Sequence, residues 1–299
     1  MKNNLLTSLA LKQNEILDYN KNRITPFNFP SSPRVSIIII NKNGEALLTS
    51  LLESIFVNTI YSNFEIILVD NASIDNSVKS IEKWNSKLNI KIMQNNINKT
   101  FSKSNNDAIS LCEGELILFL NNDTQVTYGW LQELVKTYTS TKDIGIAGGK
   151  LIYPISATSA ESLRYSLKVQ HAGVAFSIMG PYVLPYNTGY GLDPFHKDVE
   201  TLTETLGITG AMLLINKKLF LDVGGFNENY IYGLEDIDLC LKLLQTKHKI
   251  YYTPYALAFH KESTTIKTEP NHVLHYNYNN NVKYFTQTWQ NIITTNYLK

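Results

Sequence analysis

Apolar residues in this chain fall into short runs set between polar, Asn- and Gly-rich turns. VSIIII (35–40) is an unbroken, mostly β-branched run, which predicts a strand buried on both faces. FEIILV (64–69) and ELILFL (115–120) predict two more strands, NIKIM (89–93) a short one and IGIAGG (144–149) another. Between them the apolar spacing turns helical. Ala46, Leu47, Ile55 and Phe56 share one pattern, 75–84 follows with Asp75 as cap, and 102–111 and 129–138 follow in turn. Strand–helix–strand repetition with short turns implies a mostly parallel α/β sheet with right-handed crossovers. AMLLI (211–215), a helix over 234–247, KIYYTP (249–254) and ALAFH (256–260) complete the pattern. Residues 154–200 break the rhythm. They predict a long irregular segment, loosest at 180–194, of the kind that is functional or mobile.

Three regions follow. Residues 1–33 form an extension that ends in the linker-like Pro30-Ser31-Ser32-Pro33. Leu5, Leu6, Leu9, Ile16 and Leu17 can line one helical stripe there, for docking on the domain or, alternatively, on a membrane surface. The α/β domain spans 34–265. A tail, 266–299, carries Tyr276, Tyr278, Tyr284, Phe285 and Trp289, and reads as a helix packed on that domain.

Composition narrows the function. A formal net charge of +1 provides no field for a polyanion, so nucleic acid is not an expected partner. Cys112 and Cys240 lie in apolar helical patterns and read as core residues. The apolar runs are too short to span a bilayer, and no signal-peptide pattern opens the chain. The expected location is the cytoplasm, with peripheral contact at the inner membrane face left open.

In open α/β sheets, ligands bind beyond the carboxyl ends of the strands. Three polar clusters follow strands here: Asn41-Lys42-Asn43-Gly44, Asp70-Asn71-Ala72-Ser73 and Asn121-Asn122-Asp123-Thr124. Asp70 suits a ribose or base contact, and equally a turn-forming Asp-Asn pair. Asp123 suits a hard divalent cation, and equally a cap. Glu235, Asp236 and Asp238 crowd the start of one helix. Acids there meet the helix dipole favourably, but three exceed what a cap needs, and their repulsion raises the pKa of one toward that of a general base. His260 ends the last apolar strand, as a ligand or a structural residue. His171 stays open between the same readings.

In this order, VSIIIINKNGE, FEIILVDNASIDNS, LILFLNNDTQV, ITGAMLLINKKLFLDVGGFNENY, EDIDLCLKL and a final His resemble the family 2 glycosyltransferases of GT-A fold, of the bacterial surface-polysaccharide type. The resemblance implies a nucleotide pocket lined by Asn41, Lys42, Asp70 and Asn105. It implies Asn122 and Asp123 at the family's DxD-like position, with Asp123 and His260 holding Mg²⁺ or Mn²⁺ on the donor diphosphate. It further implies Asp236 as the catalytic base, Glu235 as an acceptor contact, and Thr209 and Gly210 under the sugar. The donor would be a UDP-, dTDP- or GDP-sugar, the acceptor a glycan or lipid-linked saccharide, and the outcome inversion. Lys42 departs from a frequent aromatic, Ile40 from Pro or Thr, and Lys242 from Arg. A nicotinamide enzyme would need G-x-G-x-x-G after the first strand, which NKNGEA lacks. The rival outside enzymes is an inactive sugar-binding module, which would tend to lose Asp123, Glu235 or Asp236; all three are present.

Overall fold

A computed structural model describes residues 2–29, 31–156, 158–231, 233–261 and 271–298. Helix α1 (Lys2–Arg23) leads to β1 (Val35–Asn41), α2 (Glu45–Asn58), β2 (Phe64–Asn71), a short α3 (Ser77–Ser80), β3 (Ile90–Asn95), α4 (Phe101–Ala108) and β4 (Leu116–Leu120). Then come β5 (Thr124–Val126), α5 (Trp130–Ser140), β6 (Ile144–Ile152), α6 (Ala160–Tyr165), β7 (Val169–His171), β8 (Val174–Met179), β9 (Tyr182–Asn187) and β10 (Thr203–Thr205). β11 (Met212–Asn216), α7 (Lys217–Asp222), α8 (Glu235–Gln245), β12 (Lys249–His260) and α9 (Asn271–Asn296) complete the order.

The central sheet runs β10-β12-β6-β11-β4-β1-β2-β3. β3, β2, β1 and β4 are parallel, β11 enters antiparallel between β4 and β6, and β12 runs parallel to β6. The period-two alternation within β1 explains its double burial. Ile37 and Ile39 face α2 and α5, through Leu48, Leu51, Leu131 and Leu134. Ile38 faces the opposite layer, where α4 and α8 supply Ala108, Leu239 and Leu243.

The strands form close to their expected places, with three differences. KIYYTP and ALAFH are one strand, β12, whose register against β6 shifts between Thr253 and Leu257. Pro254 lies in that bulge, and its missing N–H suits an interrupted ladder. Gly149 makes the bulge sterically possible, because a Cβ there would stand 2.3 Å from the carbonyl oxygen of Ala256. The helix expected over 75–84 is only α3 plus a 3₁₀ turn at Glu82–Trp84, and Asn76 rather than Asp75 is its cap residue. Asp75 still binds the start, accepting from the backbone N–H of Ser77 (3.0 Å) and of Glu45 (3.1 Å).

The third difference is 154–200, which is largely ordered structure rather than loop. β8 and β9 form an antiparallel hairpin from Val174↔Asn187 to Met179↔Tyr182. Its Val174, Phe176 and Val183 pack with Val282, Phe285, Trp289 and Ile293 of α9 and with Ile237 and Leu241 of α8. Alternation of apolar and small residues was masked by Gly180, Pro181 and Pro185, which punctuate the segment; the tail helix supplies the missing hydrophobic partner. Both ends dock on the sheet domain. Ile16 of α1 is buried against Ile152, Leu257 and Phe259, and Arg23 pairs with Glu200 at 2.6 Å. Leu5 stays exposed, so the expected stripe is only partly used. The boundary at 265 and the side chain of Tyr276 lie outside the described residues. Among the described residues, no helix is long and apolar enough to cross a membrane.

Candidate active site

The carboxyl ends of β1, β2, β4 and β12 and the entry to β11 meet at one rim. Asn41 and Asp70 are partners in the β1–β2 register. Beyond them the chain turns through left-handed backbone at Asn43 (φ 48°) and Ala72 (φ 61°), and the two turns hold each other. Asn43 donates its backbone N–H to Ser73 Oγ (2.9 Å), and Ile74 donates its own to Asn43 Oδ1 (2.8 Å). Asp70 is 4 % exposed. Its Oδ2 accepts from the Ser73 backbone N–H at 3.2 Å, so the turn reading holds for that oxygen. Its Oδ1 is buried with no hydrogen-bond partner among the described residues. A buried carboxylate oxygen without a donor is costly, and a ligand N–H or O–H would relieve it.

Asn41 Oδ1 accepts from Asn122 Nδ2 at 2.8 Å, which joins the first cluster to the third. Gly44 leaves room for this bridge: a Cβ there would stand 2.5 Å from Asn41 Oδ1 and 2.8 Å from Asn122 Nδ2. Its φ of −121° suits any residue, so the constraint is space alone. Gly44→Ala is expected to open the bridge, to cost about 1–3 kcal/mol of overpacking, and to weaken nucleotide binding. Calorimetry with a nucleoside diphosphate, beside thermal unfolding, checks both effects.

Asp123 and His260, distant in sequence, are brought together by the β5–β12 pairing, in which His260 partners Thr124. His260 Nε2 lies 3.1 Å from Asp123 Oδ1, and both side chains are buried. Adjacent ligands of an octahedral shell with bonds of about 2.1 Å stand about 3.0 Å apart, so this pair fits one edge of a divalent-cation site. Among the described residues no third His, Cys, Asp or Glu joins them. The remaining positions suit phosphate oxygens and water.

The same rim continues into the start of β11. Asn121 donates its backbone N–H to the carbonyl of Ala211 (3.2 Å), and Gly210 donates its own to Asp236 Oδ2 (2.8 Å). Asp236 Oδ1 accepts from the Ile237 N–H at 2.8 Å, and the Thr209 hydroxyl also bonds this carboxylate. A left-handed Leu234 (φ 76°) turns the chain into α8 and projects Asp236 toward Gly210. The three acids differ in what reaches them. Glu235 (8 % exposed) and Asp238 (1 %) are buried, while Asp236 is only half-buried. Asp238 is structural: it accepts from Trp289 Nε1 at 2.9 Å and pairs with Lys242 at 3.0 Å. Burial raises the pKa of both Glu235 and Asp236, and the Asp236 charge raises that of Glu235 further. Donors from Gly210 and Ile237 counter the rise at Asp236. Burial and the neighbouring charge thus act together on Glu235, while the backbone donors favour the charged form of Asp236.

Lys42 sits half-exposed at the mouth. Asn105 is buried within α4 and donates Nδ2 to the carbonyl of Phe101 one turn back (2.9 Å). Its link to the rim is through Phe101, whose ring would lie 3.4 Å from a Cβ on Gly210. His171 is fully buried, bonds Asn187 Oδ1 through Nδ1 (2.8 Å), and burial pushes its pKa down to about 4, so it is neutral. Gln170 was not legible: its Oε1 meets His260 Nδ1 at 2.7 Å, from a three-residue strand hidden in the segment expected to be irregular.

The profile of Glycosyl transferase family 2 matches residues 36–223, more than half of the chain. The chain belongs to glycosyl transferase family 2. A profile described as the N-terminal domain of galactosyltransferase matches 196–267, which contains Asp236 and His260. Relatives of this family 2 transferase include the O-antigen biosynthesis protein RfbC of Myxococcus xanthus, 29 % identical over 80 % of this chain and 18 % of that protein. Another is the uncharacterized protein y4gI of Sinorhizobium fredii, 28 % identical over 87 % of this chain and 28 % of its own length. The chain thus spans under a third of either relative. Its fold matches GalNAc-T7, solved with UDP, GalNAc and Mn²⁺ (TM-score 0.61, 16 % identity, 81 % of this chain and 48 % of that one). It also matches the mannosyltransferase PcManGT of Pyrobaculum calidifontis, solved with GDP-Man and Mn²⁺ (0.54, 16 %, 87 % and 69 %). The GT-A architecture, with its curled sheet between helices, is therefore the fold of this chain.

Proposed function

We propose that the protein moves a sugar from a nucleoside diphosphate to a hydroxyl of a glycan or lipid-linked saccharide, with inversion, and that Asp236 is the general base. The observation that carries this reading is the half-buried carboxylate of Asp236, held by the Gly210 N–H on the rim that also carries the Asp123–His260 pair. Asp70, with its unpartnered Oδ1, and Asn41 and Lys42 would hold the nucleoside. Asp123 Oδ1 and His260 Nε2 would hold Mg²⁺ or Mn²⁺, which when bound neutralises charge on the leaving diphosphate. GalNAc-T7 with UDP and Mn²⁺, and PcManGT with GDP-Man and Mn²⁺, support that choice of ligand.

The chain's own groups then divide the work. Asp236 accepts the proton of the acceptor hydroxyl as its oxygen attacks the anomeric carbon from the face opposite the diphosphate. A single displacement of this kind inverts that centre. The Gly210 and Ile237 N–H groups fix the carboxylate before the acceptor arrives, so little reorganisation is needed. Glu235, its pKa raised by burial, would bond the acceptor or hold the helix start in place. Thr209 and Gly210 would floor the sugar site.

A panel of UDP-, dTDP-, GDP- and CMP-sugars with Mn²⁺ or Mg²⁺ tests the reading. One nucleoside-diphosphate sugar is expected to release nucleotide when acceptor is supplied, with a chelator abolishing release. Asp123→Ala, which removes one of the two protein ligands, is expected to lose metal-dependent donor binding by calorimetry. Chelator-insensitive turnover, or unchanged donor affinity of the variant in Mn²⁺, would reject the cation part.

A further inference from the structure

We propose that Gln170 is the positioning residue of the cation site, holding His260 in the one tautomer whose Nε2 lone pair faces Asp123. The inference rests on the reading of Asp123 and His260 as cation ligands. Gln170 lies in the middle of β7, which pairs antiparallel with the end of β6 at Leu151 and Ile152. β12 pairs with the same stretch of β6, so Gln170 and His260 approach each other across its end. Gln170 is 2 % exposed and His260 7 %. Their contact, 2.7 Å between Oε1 and Nδ1, is short and shielded from water.

An amide oxygen accepts and cannot donate, so the proton of a neutral His260 must sit on Nδ1. On the other side of the ring a donor and an acceptor compete for Nε2. Asn121 Nδ2, a donor, stands 3.4 Å from Nε2 and suits a lone pair there, while Asp123 Oδ1 at 3.1 Å would accept a proton from it. The shorter Gln170 contact on Nδ1 decides between them for the neutral ring. That tautomer turns a lone pair toward Asp123 Oδ1, 3.1 Å away. Two electron-rich atoms so close repel until a cation lies between them. Gln170 thus keeps the site primed for a metal.

Ligating histidines are usually held by a carboxylate, a backbone carbonyl or water on the remaining nitrogen, and a carboxylate also raises the basicity of the ligand. A neutral amide orients the ring without adding charge. That choice suits an ion that is held by two protein side chains and must part with the diphosphate after each turnover.

Binding of Mn²⁺ alone, followed by the electron paramagnetic resonance of the free ion, tests this with four proteins: wild type, Gln170→Met, Gln170→Glu and His260→Ala. Methionine fills nearly the same volume without an acceptor oxygen, and glutamate restores one. Gln170→Met is expected to bind Mn²⁺ about 10- to 100-fold more weakly, and Gln170→Glu at least as tightly as wild type. Long-range ¹H–¹⁵N correlation of the metal-free imidazoles is expected to show His260 protonated on Nδ1 in the wild type and a mixture of tautomers in Gln170→Met. Wild-type affinity in Gln170→Met, an equal loss in Gln170→Met and Gln170→Glu, or wild-type His260 protonated on Nε2 would each overturn the inference. His260→Ala separates the two levels. If it too binds Mn²⁺ like wild type, the cation reading itself falls; if it alone is impaired, only the role of Gln170 falls.

Discussion

Asp236→Asn is expected to lower sugar transfer by about 10²- to 10⁴-fold, the usual contribution of a positioned base, while donor affinity is unchanged. The amide removes the basic oxygen pair and can still accept one of the two backbone donors. Its NH₂ then faces either the Gly210 or the Ile237 N–H, each now 2.8 Å from a carboxylate oxygen. One buried donor is left unmet, a penalty of about 1–3 kcal/mol, so thermal unfolding should be recorded beside the kinetics. The pH profile carries the same signature. Burial raises the pKa of Asp236 from its ordinary value. Turnover should therefore fall as pH drops through that raised pKa, since the base acts only when deprotonated. A variant that keeps most of the wild-type transfer rate would strip Asp236 of the role, whatever its effect on folding.

Trp289→Ala is expected to be the most damaging change far from the chemistry, at about 3–5 kcal/mol of stability. Trp289 is 7 % exposed and belongs to the cluster in which α9 meets the β8–β9 hairpin and α8. Truncation empties that space. It also removes the donor 2.9 Å from Asp238 Oδ1, which leaves that buried carboxylate to Lys242 and to a long contact with Tyr230 (3.4 Å). Asp238 lies two residues beyond Asp236 on α8, so transfer should fall with stability. Trp289→Phe separates the contributions: it keeps most of the packing and loses only the hydrogen bond, about 1–3 kcal/mol. Denaturant unfolding of the two variants checks the order. An unfolding midpoint for Trp289→Ala equal to that of wild type would show that α9 is not integral to the domain.

The strands were legible because each is a self-contained apolar run, buried whatever its neighbours turn out to be. The positions of Asn41, Asp70 and Asp123 followed from that, since a residue just past a parallel strand has only one rim on which to lie. Asp238 was not separable from Glu235 and Asp236, because the spacing of three acids says nothing about which one meets a tryptophan arriving from 51 residues away. The β8–β9 hairpin reads as loop from the sequence, because its hydrophobic face is completed only by α9.

The chain on its own thus determined the layered α/β fold, the rim where chemistry belongs and the residue types gathered there. These depend on local periodicity and on strand direction, which neighbouring residues encode. Tertiary structure alone decided that β5 would pair with β12 and set His260 against Asp123, that Gln170 would orient that histidine, and that Asp236 rather than its neighbours would stay accessible. Each of these depends on contacts between segments far apart in sequence, whose pairing energy is spread over the whole core and leaves no mark on the residues it brings together.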